Sequence, residues 1–217
     1  MLHELWLVIH VLGWVFWLGT DIGVYIAAKR SERTDLSVET RLAILDVGML
    51  LDRAPRFAVP VVLGTGLLMA NNFGFTWLPD LLVVAFTVGW ILIVWLGLFK
   101  PPGSTLQRLA TQAQTIIYVV VIIGMLAWGI IGLLGDSVPL WVAIKCFCYA
   151  LIGIAAVVLD RCFTPAIVDY QTLATSGSTP ALEAQLHQHL QPVYMSVLAI
   201  YAGTAVAGIS GLLKPVL

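Results

Sequence analysis

Apolar residues run through this chain in long stretches separated by short polar ones, and the lengths of those stretches set its architecture. A helix rises about 1.5 Å per residue, so about 20 apolar residues cross the hydrocarbon of a bilayer. Five stretches reach that length and place helices over residues 5–28, 81–99, 112–134, 139–160 and 190–213. A sixth, RFAVPVVLGTGLLMA, is too short by itself. Joined to the preceding LAILDVGMLLDRAP it gives a span over 50–71, with a bend near Pro55 or Pro60. Two amphipathic segments, 38–54 and 180–189, are read as helices on the membrane surface. The second ends a long connection, 164–189, that contains the polar run TSGSTP. The predicted fold is all-α: one polytopic transmembrane bundle of about six spans.

Charge orients the bundle. Lys29, Arg30, Arg33, Arg41, Arg53, Arg56, Lys100, Arg108 and Arg161 are nine of the eleven Lys and Arg residues, and all fall on one side of an alternating six-span path. The opposite loops, NNFGFTWLPD and GDSVP, carry none. Cytoplasmic loops are the basic ones, so both termini are expected on the non-cytoplasmic side of a bacterial-type inner membrane.

Composition agrees with a lipid-solvated chain. Only 11% of residues are charged against 60% hydrophobic, where soluble domains carry about a quarter charged. The net charge of −1, with no basic or acidic block, excludes nucleic acid as a partner. The start, MLHELWLVIH, has no positive segment ahead of its apolar run and does not read as a cleaved signal peptide. Cys146 and Cys148, two apart on one helix, point to different faces and are read, with Cys162, as apolar packing residues.

Ionisable residues inside spans are functional candidates by default. His10, Asp21 and Lys145 are the three that stand out. His10 and Lys145 each lie a short way into a span entered from the non-cytoplasmic side, so they share an outer level. Asp21 lies toward the inner face, as do Arg56, Asp160, His187 and His189. His3, His10, Trp14, Trp17 and Asp21 fall within an arc of about 60° on the first helix. Such a stripe faces the bundle interior or a bound cofactor. The alternative is that His10 only bonds a neighbouring helix and the tryptophans are interfacial anchors, although both lie deep for an aromatic belt. His187, Gln191, Tyr194 and Tyr201 share a face of the last helix, and the plain reading of His187 and His189 is a solvated inner helix.

Imidazole is an axial ligand for haem iron, and aromatic and glycine neighbours suit a flat porphyrin. Copper is the alternative metal, but it usually recruits Met or Cys, and Met69 and Met125 are scattered.

Three segments carry a resemblance: LWLVIHVLGWVFWLGTDIGVY, RAPRFAVPVVLGTGLLMA and PLWVAIKCFCYALIGIAAVVLDR. Together they resemble the superfamily of HemJ-type protoporphyrinogen oxidases and CopD-like copper-resistance proteins. The resemblance implies that His10 ligates haem b, that Lys145 is the functional lysine, and that Arg56 matches the arginine before the proline. The function expected is a haem b redox protein passing electrons between a quinone or small substrate and a partner protein. A porphyrinogen-oxidising oxidoreductase is one form of it. His10 would hold iron, with His187 and His189 as further metal-ligand candidates. Trp14, Trp17 and Arg56 would line the cofactor, and Lys145 and Asp21 would act in proton transfer. The competing expectations are a CopD-like copper permease and a non-catalytic anchor subunit of a larger redox complex; a homo-oligomer is compatible with all three.

Overall fold

The computed structural model describes residues 2–76 and 78–214. These form seven helices, and among the described residues there is no strand. The helices are α1 (Leu2–Ser31), α2 (Val38–Leu51), α3 (Arg53–Asn72), α4 (Asp80–Phe99), α5 (Thr105–Leu134), α6 (Leu140–Ser176) and α7 (Pro180–Leu213). Five of them, α1 and α4 to α7, are long and apolar enough to cross a membrane. α3 is different. It carries Arg53, Arg56, Asn71 and Asn72 near its ends, and ten of its twenty residues are buried. Enclosure between α1 and α4 means that protein, rather than lipid, solvates much of its surface.

Sequence neighbours pack side by side, and α1 packs against both α3 and α7, closing a ring of α1, α3, α4, α5, α6 and α7. The ring's core takes at least one buried residue from each helix: Trp17, Val62, Trp90, Tyr118, Ile152 and Ile200 among them. His10 bonds Thr65, so the start of α1 lies beside the end of α3. One end of the ring thus holds the start of α1; the other gathers the nine basic residues and is called the basic end here.

Local signals explain the breaks. Ser37, Ser104 and Thr179 accept backbone N–H bonds at the starts of α2, α5 and α7. Gly177, at φ +78°, ends α6 in the left-handed region open to glycine. Two sequence expectations are corrected here. The 164–189 segment is not a long connection: α6 continues to Ser176, and residues 180–189 are the first turns of α7. Helical spacing of Ala166, Tyr170 and Leu173 makes this possible, because they pack on Leu186, Leu190 and Tyr194 in a second core shared with Tyr25, Val38 and Leu42. The second correction is at Asp52, where α2 and α3 separate rather than bending as one helix at Pro55 or Pro60. At 37 and 34 residues, α6 and α7 are about 55 and 51 Å long, well beyond the roughly 30 Å of a hydrocarbon core.

Candidate functional site

The polar stripe of α1 does face inward, toward α3 and α7, while Val8, Leu12, Val15 and Phe16 on the opposite face are exposed. Its residues do not converge on one point. They occupy successive levels.

At the level nearest the start of α1, Nδ1 of His10 lies 3.1 Å from Oγ1 of Thr65. Thr65 donates its only hydroxyl proton to the Val61 carbonyl at 2.6 Å, as helix-interior threonines do. With its proton so engaged, Thr65 is an acceptor for His10, an arrangement in which Nδ1 carries the ring proton and Nε2 the lone pair. Gly66 lets the ring approach: a Cβ there would stand 3.3 Å from Cε1 of His10. Lys145 enters from α6, with Nζ 5.8 Å from the centre of the Trp141 ring and against Gly211 of α7. Among the described residues it makes no ion pair.

One turn along, Trp14 donates from Nε1 to the Thr204 carbonyl at 3.2 Å. Its ring lies over Gly208, where a Cβ would be 2.7 Å from the indole. Trp14 is thus a strut between α1 and α7.

Trp17 and Asp21 line a cavity of about 60 Å³. Trp17 is 4% exposed and meets Tyr149 edge to face at 6.3 Å. The cavity also reaches Tyr118, Arg56, Asp52 and Asp160. Arg56 bonds Asp52 at 2.6 Å and Asp160 at 3.0 Å and makes no ion pair with Asp21. Asp21 remains beside a guanidinium already held by two carboxylates. Tyr149 donates to the Val59 carbonyl at 2.8 Å, and Tyr201 donates to that of Asp21 at 2.6 Å.

His187 and His189 stand apart from all of this. His187 pairs with Glu32, 22 residues along α1 from His10 and hence about 33 Å away along the helix axis. His189 donates to Asp169 at 2.6 Å, and Gln185 donates to the other oxygen of the same carboxylate at 2.7 Å. Both rings are anchors of the α6–α7 extension. They do not join His10.

A buried ion pair lies at the same end. Arg41, 1% exposed, grips both oxygens of Glu183 at 2.6 and 2.8 Å and donates from Nε to the Ser31 carbonyl at 2.7 Å. Hydrogen bonding from Arg41 holds the Glu183 carboxyl below the usual range. Ser31 in turn bonds Tyr170 at 2.7 Å, and burial pushes that phenol up.

The sequence does not single out Thr65 or Thr204, since a Ser or Thr hydroxyl in an apolar helix usually bonds its own backbone, nor Tyr118 or Tyr149, which it does not separate from core aromatics. No family model, no curated protein and no solved structure matches the chain.

Proposed function

We propose that the chain is a six-span inner-membrane protein with both termini on the non-cytoplasmic side, and that it is a haem b-binding redox protein. It would pass electrons between a quinone or small substrate and a partner. The basic end supports the orientation, because basic loops are retained in the cytoplasm. α3 supplies the sixth crossing: its 20 residues are about 30 Å long, and its polar ends suit the two interfaces.

The observation that carries the haem reading is the contact of His10 Nδ1 with the Thr65 hydroxyl. Ligand histidines typically donate their second ring N–H to a neighbouring oxygen, which orients the ring and raises its basicity. His10 has that arrangement with Thr65, leaving Nε2 able to hold iron. Haem supplies one-electron exchange when bound. Lys145, which makes no ion pair among the described residues, would hold a propionate or another carboxylate at the same level. Asp21, outside the Arg56 ion pairs, would hold and release a proton at the inner level. The donor atoms fit the group, whereas the packed core does not enclose it. Two cavities among the described residues, about 60 and 190 Å³, are smaller than the roughly 300–1,000 Å³ of small-molecule pockets.

An absorption spectrum with metal analysis of the purified protein tests this reading. The expected result is a Soret band and stoichiometric iron, both lost in His10→Ala. No Soret band, or one indifferent to His10→Ala, refutes it.

A second reading, the anchor subunit of a larger redox complex, is favoured by one feature. The extension of α6 and α7 beyond bilayer length, packed with α2 and the end of α1, offers a platform for a partner. Co-purification of a stable second polypeptide supports it, and bound haem is compatible with it. A copper permease is less favoured, because among the described residues no group of three His, Cys, Asp or Glu could hold a metal ion.

A further inference from the structure

Four of the nine cations of the basic end are paired within the chain. Lys29 lies near Glu32, Arg33 bonds Asp35, Arg41 bonds Glu183, and Arg56 bonds Asp52 and Asp160. Three of the other five gather at one corner. Arg53 at the start of α3, Lys100 just past α4 and Arg108 in the first turns of α5 make no ion pair among the described residues. The corner is compact, because the Arg53 guanidinium carbon lies 5.2 Å from the centre of the Phe99 ring, and Nζ of Lys100 lies 5.4 Å from that of Trp95. The one carboxylate next in sequence, Asp52, is turned to Arg56.

Two helix starts add to the positive potential. Neither α3 nor α5 has an acidic residue in its first turn, although the N-terminal end of a helix favours negative charge. Each carries an arginine there instead. Three unpaired cations and the start of α5, with Asp52 at the start of α3 turned away to Arg56, make a site that lacks a counter-charge of its own.

The surroundings say what supplies it. Trp95 and Phe99 are 43% and 48% exposed, and the neighbouring Leu92, Leu106 and Leu109 are exposed as well. A ligand here meets cations above and an apolar, aromatic fringe below. That is the division between the headgroup and acyl chains of a phospholipid.

We propose that this corner of α3, α4 and α5 binds the phosphate of an anionic phospholipid from the cytoplasmic leaflet. Arg53 and Lys100 approach it from above the Phe99 and Trp95 rings, and Arg108 approaches from α5. The proposal rests on the bilayer placement given above but not on haem, so a missing Soret band leaves it intact.

The test is lipid retention by the purified full-length protein in detergent, read by native mass spectrometry. Phosphatidylglycerol, phosphatidylcholine and inorganic phosphate are added in separate arms. Phosphatidylglycerol is expected to be retained and phosphatidylcholine lost. The Arg53→Gln, Lys100→Gln, Arg108→Gln triple variant should retain at least tenfold less. A triple variant removing equal charge elsewhere (Arg30→Gln, Arg33→Gln, Arg161→Gln) should retain as much as the parent. If the first triple variant does not fold, Lys100→Gln alone should weaken retention by about fivefold, the usual worth of one cation near an anionic membrane. Equal retention of phosphatidylcholine, equal loss in the control variant, or binding of inorganic phosphate without the lipid would overturn the proposal.

Discussion

Glu183→Gln is the substitution whose cost the structure constrains most tightly. The Arg41 side chain is 1% exposed and that of Glu183 is 14% exposed, so the two partners are not equivalent. Glutamine keeps the shape and one acceptor oxygen but removes the ion-pair partner of a buried guanidinium. Leaving one member of a buried pair uncompensated costs about 3–5 kcal/mol. Arg41→Met leaves the carboxylate instead, and that group still accepts from Ser178 at 2.6 Å and still reaches water. Its cost is therefore closer to the ~1–3 kcal/mol of an unsatisfied polar group. The assay is amide hydrogen exchange of the detergent-solubilised chain, read over α2 and the adjoining ends of α6 and α7. At a factor of ten per ~1.4 kcal/mol, Glu183→Gln should accelerate exchange there by about 10²- to 10³-fold. The Arg41→Met, Glu183→Leu double variant should recover much of that loss. Exchange in Glu183→Gln within about fivefold of the parent, or a larger effect from Arg41→Met, would refute the reasoning.

Acid should open the same region first. Because Arg41 lowers the folded-state pKa of Glu183, the stability this group contributes is complete above its ordinary 4.5 and is lost as pH falls through the lowered value. Exchange over α2 should therefore rise below that pH before exchange in α4 and α5 does. Thr65→Val removes the hydroxyl that His10 Nδ1 contacts. It should weaken metal or haem retention about 10- to 100-fold, with Thr65→Ser restoring it, as followed by the Soret band and iron content. Gly208→Ala places a methyl 2.7 Å from the Trp14 ring and should cost about 1–3 kcal/mol in thermal unfolding. Gly124→Ala, with no atom within 4 Å of the new carbon, should be neutral or stabilising by up to ~1 kcal/mol. Buried Cys146 and Cys148 should resist a thiol reagent that labels the less buried Cys162, as mass spectrometry of the folded protein would record.

Apolar run length made five crossing helices legible, since lipid imposes a minimum length that few other constraints share. The inward face of α1 was legible too, because helical periodicity alone brings His10, Trp14, Trp17 and Asp21 to one side. The reach of α6 was not. Past Asp160 its sequence turns polar, and only the fit of Ala166, Tyr170 and Leu173 against α7 keeps it helical, a partner that local pattern does not reveal. The Arg41–Glu183 pair joins residues 142 positions apart and has no sequence signature. The division of labour around Arg56 was hidden for a related reason. Asp21, Asp52 and Asp160 are all plausible partners by depth, and packing geometry selects Asp52 and Asp160. The role of Thr65 becomes visible only when His10 is seen beside it.

The strut between Trp14 and Thr204 bears on how the chain is assembled during synthesis. α1 is made first, and its indole finds its acceptor on the last helix, 190 residues later. Until that helix arrives, the Trp14 N–H faces hydrocarbon with no partner from α7, and α1 is held to the ring by α2 and α3 alone. Closure of the ring thus waits for the synthesis of α7. Nascent chains arrested before residue 204 should hold α1 loosely, in a form that quality-control proteases can tell from the finished bundle.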